Sequence, residues 1–154
     1  MRTTLFLMLS LVLGGCAPSL VSAQRATAME AAPRAERALV FVLNTGLEDA
    51  QTMSSVFRHA QSAAGDGRLR EVAILVYGRG IQAFDGSIRR RPAGLTDVIR
   101  EAMAAGVRIV LCAQAMDQMG VDRGALDPLP SVVVPNVMTT LVDYVAAGAA
   151  VVRY

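Results

Sequence analysis

The stretch GVRIVLCAQAM, Gly106 to Met116, decides the fold. Gly106 ends whatever precedes it. Val107 to Leu111 favour a strand, Cys112 closes it, and Ala113 onward fits a short helix as far as Met119. A strand running straight into a helix is the repeating unit of an α/β fold.

The same unit recurs on both sides. ALVFVLN (Ala38 to Asn44), EVAILVY (Glu71 to Tyr77), SVVV (Ser131 to Val134) and AAVVRY (Ala149 to Tyr154) are further strands. The first two and SVVV are almost uninterrupted apolar runs, the pattern of strands buried on both faces of a helix-covered parallel sheet. Between them apolar residues recur at helical spacing. Ala50, Met53, Phe57, Ala60 and Ala64 form one stripe, stopped by Gly65. Leu95, Val98, Ile99, Ala102 and Met103 form a second, stopped by Gly106. Val137, Met138, Leu141, Val142 and Val145 form a third, with Asn136 as N-cap and Gly148 as stop. Strand–helix alternation of this kind predicts an α/β sandwich with right-handed crossovers.

The first 23 residues read as a targeting segment. Arg2 precedes the apolar run Leu5 to Leu13, which is too short to span a bilayer as a mature helix. Two processing sites compete. LGGC (Leu13 to Cys16) reads as a lipobox, in which Cys16 is acylated, and VSA (Val21 to Ala23) before Gln24 reads as an ordinary cleavage site. The spacing favours the lipobox, and either route predicts an exported, periplasmic protein, in the first case a membrane-anchored lipoprotein. Residues 24–37 lack a sustained apolar pattern and read as a linker to a domain over 38–154. Both routes leave Cys112 as the one free thiol, with no partner for an intramolecular disulfide.

Charge says little about partners. The formal net charge is +2, and no basic helix or aromatic stacking set is present, which argues against nucleic acid. Arg89-Arg90-Arg91 reads as a solvated loop. With 53% hydrophobic and 18% charged residues, the chain is expected to form a homo-oligomer, although the targeting segment supplies part of that apolar count.

In open parallel sheets, sites form beyond the carboxyl ends of the strands. The segments there are Asn44-Thr45-Gly46, Tyr77-Gly78-Arg79-Gly80, Cys112-Ala113-Gln114 and Pro135-Asn136. A helix starting at Ala113 favours a thiolate at Cys112, and Arg79 would add a full positive charge. The plain alternative is a cysteine that packs as a small hydrophobe. YGRGI, Tyr77 to Ile81, is neither a dinucleotide fingerprint nor a Walker sequence, so no nucleotide cofactor is expected. Cys112, Met116 and Met119 share a helical face with the softness Cu(I) selects, but the same spacing is more often a packed stripe, and no metal site is assigned. His59 lies off its helix's apolar stripe and away from any strand end, which argues against a Cys–His hydrolase.

VAILVYGRGI, AMAAGVRIVLCAQAMDQMGV and LPSVVVPNVMTTLVDYVAAGAAVVRY resemble the DsrE/DsrF-like family of sulfur-oxidation and sulfur-relay proteins. The strand–cysteine–helix unit around Cys112, Gly120-Val121 beyond it and the glycine-then-strand ending at Gly148 carry the resemblance. It implies a three-layer α/β/α sandwich on a mainly parallel five-stranded sheet, and homo-oligomers. It also implies that Cys112 accepts sulfane sulfur as a persulfide and hands it to an acceptor, acting with a donor or acceptor protein as a sulfurtransferase or carrier. Asn44, Tyr77, Gly78, Arg79, Gln114 and Asn136 are the groups expected to line the substrate pocket. A homo-oligomeric binding module with a structural Cys112 is the alternative, followed by a Cu(I)-binding protein.

Overall fold

The computed structural model describes residues 38–154. The targeting segment, Cys16 and the linker over 24–37 lie outside the described residues.

Strands β1 (Ala38–Leu43), β2 (Glu71–Val76), β3 (Arg108–Cys112), β4 (Val132–Val134) and β5 (Ala150–Arg153) form one sheet in the order β4-β3-β2-β1-β5. Every neighbouring pair is parallel. The α-helices are α1 (Ala50–Gly65), α2 (Leu95–Ala104), α3 (Ala113–Met119) and α4 (Val137–Ala146). The chain steps from β1 through β4 in one direction and then returns across the sheet to lay β5 beside β1. Parallel crossovers are right-handed, so the reversed step places α4 on the sheet face opposite α1 and α2. α1 packs on α2, β1 and β2, while α4 lies over β2 and β3. The architecture is the α/β sandwich read from the alternation of elements.

The local causes are readable. Asp49 caps α1 by accepting from the Thr52 N–H at 3.0 Å, and that bond holds its exposed carboxyl below the usual carboxylate range. Asn136 caps α4 by accepting from the Met138 N–H at 2.8 Å. Gly106 and Gly148 end α2 and α4 in the left-handed conformation, φ +88° and +83°. In each case the N–H of the glycine and that of the next residue fold back on the last turn, as in Val107 to the Ala102 carbonyl at 3.0 Å and Ala149 to the Tyr144 carbonyl at 2.9 Å. Gly65 departs from expectation. It is the last residue of α1, and the left-handed turn falls two residues later, at Gly67.

The core fills the centre of the sheet. β2 is buried from Val72 to Val76 and β3 from Ile109 to Cys112, as a parallel sheet covered on both faces requires. Phe57 of α1 meets Phe84 edge-on, centroids 6.1 Å apart. β4 corrects an expectation: Val132, Val133 and Val134 are only half-buried, because β4 is an edge strand. β5, at the other edge, is exposed throughout.

Two loops hold more structure than their sequences show. Gly78–Phe84 winds as a 3-10 helix after β2. Gly80 is needed there, since a Cβ would lie 2.7 Å from the Leu43 carbonyl oxygen. The arginine run is also more than a solvated loop. Arg89 and Arg90 are exposed, but the Arg91 side chain is only 12% exposed. It donates to the Ala83 carbonyl and approaches Asp127 at 3.6 Å. That clamp joins the segment after β2 to the segment before β4, which also pair through Gly86 N–H to the Ala125 carbonyl at 2.8 Å.

Candidate functional site

Three strand ends meet at one cleft of about 200 Å³. β2 delivers Tyr77 and Gly78, β3 delivers Cys112, and the turn after β4 delivers Asn136. α3 adds Gln114, Ala115 and Gln118, and α4 adds Val137 and Met138. The volume falls below the roughly 300–1,000 Å³ of ordinary small-molecule pockets. The cleft is therefore sized for a few heavy atoms, such as a small thiol or the tip of a side chain.

Cys112 stands at the junction of β3 and α3, opposite Val134 in the parallel register. It is 5% exposed, and its Sγ lies 3.9 Å from the Pro135 carbonyl oxygen. The same carbonyl accepts from the Gln114 N–H at 3.3 Å, which ties the start of α3 to the turn after β4. α3 is a single short helix of 7 residues. Among the described residues Cys112 is a free cysteine.

The predicted pocket residues divide. Tyr77, Gly78, Gln114 and Asn136 line the cleft with Cys112. Asn44 lies behind it. Its side-chain amide donates to the Tyr77 hydroxyl at 3.2 Å, and its own N–H donates to the Tyr154 carbonyl at 3.3 Å. Arg79 does not line the cleft. Its guanidinium pairs with Glu48 at 2.9 Å, both side chains being about half exposed or more, 62% and 49%. Such a pair contributes at most about 1 kcal/mol of stability, but it directs Arg79 toward the loop after β1. Among the described residues, no charged side chain lines the cleft.

Gln118, Val137 and Met138 were not anticipated. Gln118 had a signal, since it follows Gln114 by one helical turn and so shares its face. Met138 had none, because its approach depends on α4 returning over the sheet. The proposed soft-metal set does not assemble at the cleft: Met116 is 1% exposed in the core, Met119 is exposed, and neither lines the cleft with Cys112. His59 is exposed, with Nδ1 2.7 Å from the Tyr154 hydroxyl.

A second cleft, of about 330 Å³, opens at the amino ends of β2 and β3. It is larger, and three of its lining groups pair with one another. Glu71 accepts from the Tyr144 hydroxyl at 2.5 Å and pairs with Arg108 at 3.4 Å. Burial, followed by the bond to Glu71, pushes the Tyr144 phenol up to about 12. These groups brace α4 against the sheet.

The profile of the DsrE/DsrF-like family matches residues 37–154. Among curated proteins, none matches this chain in sequence. Solved structures share its fold, three of them as follows. The protein MTH1491 from Methanobacterium thermoautotrophicum superposes with a TM-score of 0.63 at 17% identity, over 77% of this chain and 99% of that one. The ychN protein from E. coli gives 0.62 at 16%, over 77% and 99%. BT1422 from Bacteroides thetaiotaomicron gives 0.60 at 18%, over 79% and 97%.

Proposed function

The chain belongs to the DsrE/DsrF-like family, and from that premise we propose that it handles sulfur through Cys112, with partner proteins as donor and acceptor. The family points to a sulfur-relay role in general. The observation that carries the finer reading is the place of Cys112, at the carboxyl end of β3 on a small cleft lined by neutral polar groups. In the proposed step the Cys112 thiol first loses its proton to water. The thiolate then attacks the outer sulfur of a persulfide R–S–SH. A bond forms between Sγ and that sulfur, the donor's S–S bond breaks, and RS⁻ leaves with the electron pair. Cys112 then carries –S–SH, and an acceptor thiolate removes the sulfur by the same exchange.

Intact-mass measurement after treatment with glutathione persulfide tests the reading. Wild type is expected to gain mass in steps of one sulfur, and Cys112→Ser to gain none while keeping its fold. An unchanged wild-type mass overturns the proposal. The alternative is a binding module in which Cys112 only packs, and the 5% exposure of Cys112 favours it. A thiol that resists alkylation until the protein unfolds decides for that alternative.

Assembly and location belong to the same proposal. Exposed Met138, Val142, Val145, Val151 and Val152 support a homo-oligomer. Light scattering that finds only monomer at micromolar concentration refutes it. Leu5 to Leu13 and LGGC support export with a lipid on Cys16. A native chain beginning at Gln24 removes the anchor and keeps export, and one beginning at Met1 removes both.

A further inference from the structure

We infer that Tyr77 is the hydrogen-bond donor that stabilises the sulfur anion leaving in the exchange at Cys112, and that Asn44 is the positioning residue that aims it. The inference rests on the relay reading of the cleft. It starts from a charge that must be met. When the S–S bond of a donor breaks, negative charge collects on the departing sulfur, and a site accelerates the step by placing donors or cations where that charge develops. No charged side chain lines this cleft among the described residues, and Arg79, the nearest sequence candidate, is paired with Glu48 instead. Neutral donors must then do the work.

The lining offers few of them. Asn136 already uses its side-chain oxygen on the Met138 N–H as the cap of α4. Gln114 and Gln118 offer amide N–H groups on long, flexible stems. Tyr77 offers a phenolic O–H, a stronger donor than an amide, on a rigid ring at the end of β2. Asn44 determines how that hydroxyl is used. Its amide N–H donates to the Tyr77 oxygen at 3.2 Å, which uses that oxygen as an acceptor and leaves the hydroxyl proton to be donated to another partner, in this inference the departing sulfur. Asn44 is itself fixed by its backbone bond to Tyr154, so the donor is oriented before substrate arrives.

The test compares two reactions of the same thiol. Alkylation by iodoacetamide expels iodide and develops no sulfur anion. Transfer from glutathione persulfide, or exchange with small disulfides, expels a thiolate. Both depend on the Cys112 thiolate fraction, so the ratio of transfer rate to alkylation rate isolates help given to the leaving sulfur. Tyr77→Phe is expected to lower that ratio by about 10-fold or more, short of the roughly 100-fold or greater losses seen for donors in fully dry oxyanion holes. Across a series of disulfides, the loss is expected to grow as the leaving thiol becomes more basic, because a poorer leaving group needs the hydrogen bond more. Asn44→Asp is nearly isosteric and places a carboxylate where the amide donated, so it draws the Tyr77 proton away from the cleft. It is expected to lower the ratio as far as Tyr77→Phe does.

A ratio unchanged in Tyr77→Phe overturns the inference, and so does a loss equal for every leaving thiol, which would mean a structural role. If Tyr77→Phe fails to fold, Asn44→Asp decides the matter on the same ratio. If wild type accepts no sulfur from the persulfide, the relay reading fails. The disulfide series still decides the role of Tyr77, because it needs only the Cys112 thiol.

Discussion

The two faces of the sheet are covered very differently. On one, α1 and α2 bury Met53, Val56, Phe57, Ala60, Leu95, Val98, Ile99 and Ala102. On the other, α4 buries only Val137 completely, with Leu141 and Tyr144 half-buried behind it. Yet α4 is no less apolar. Val137, Leu141 and Tyr144 form one stripe facing the sheet, and Met138, Val142 and Val145 form a second at the same spacing, 39%, 65% and 55% exposed. A helix apolar on two sides has more to bury than its own chain covers. The thinly covered face also borders the Cys112 cleft, since Met138 belongs both to the outer stripe and to the lining of that cleft.

Stability measurements can break this contrast. Phe57→Ala, on the sealed face, is expected to lose about 3–5 kcal/mol in denaturant unfolding, because a fully buried ring leaves a cavity that α1 and α2 cannot collapse. Leu141→Ala, on the inner stripe of α4, is expected to lose about 1–2 kcal/mol, below the usual range for a fully buried leucine, because the site is half-buried. Equal losses at the two positions would show that α4 is as firmly seated as α1.

Tyr144→Phe sharpens the contrast by removing the hydroxyl that joins α4 to Glu71. A loss of about 0.5–1.5 kcal/mol is expected, the ordinary net value of one hydrogen bond. The same bond gives a pH signature. The Tyr144 phenol is raised from 10.0 to about 12, so folding favours its neutral form. Its contribution is complete below pH 10 and fades as pH rises toward 12. Unfolding of wild type and Tyr144→Phe over that interval is expected to converge with rising pH, and a constant difference would contradict the assignment.

The smallest effect is expected at Val142→Ser. The residue is 65% exposed, so the isolated fold is expected to change by no more than about 0.5 kcal/mol. In the proposed homo-oligomer its effect falls on assembly: light scattering is expected to show weaker association, and unchanged assembly would remove the outer stripe of α4 from the proposed contact.

Much of the fold was legible because the signals were local. The five strands fall within a residue or two of the apolar runs, and α3 spans Ala113–Met119 as expected. Gly106 and Gly148 stop their helices because the left-handed conformation there is a property of a few residues. The half-burial of β4 was not legible, since its three valines look the same at the centre or the edge of a sheet. Arg91 was not separable from Arg89 and Arg90, because its partners, Ala83 and Asp127, come from different loops.

The candidate site divides in the same way. That Cys112 ends a strand and opens a helix follows from its close neighbours in GVRIVLCAQAM. Strand-end placement likewise marked Tyr77, Gln114 and Asn136 as candidates. What the sequence by itself determined was the order of strands and helices, and with it the edge of the sheet on which Cys112 had to stand. Only the tertiary structure decided which groups meet there: Arg79 turned to Glu48, Asn44 set behind Tyr77, Met138 brought in by α4. The physical reason is range. Backbone conformation and apolar periodicity are set within a few residues, whereas the partner of a charge or a hydroxyl is set by how distant strands and helices are laid side by side.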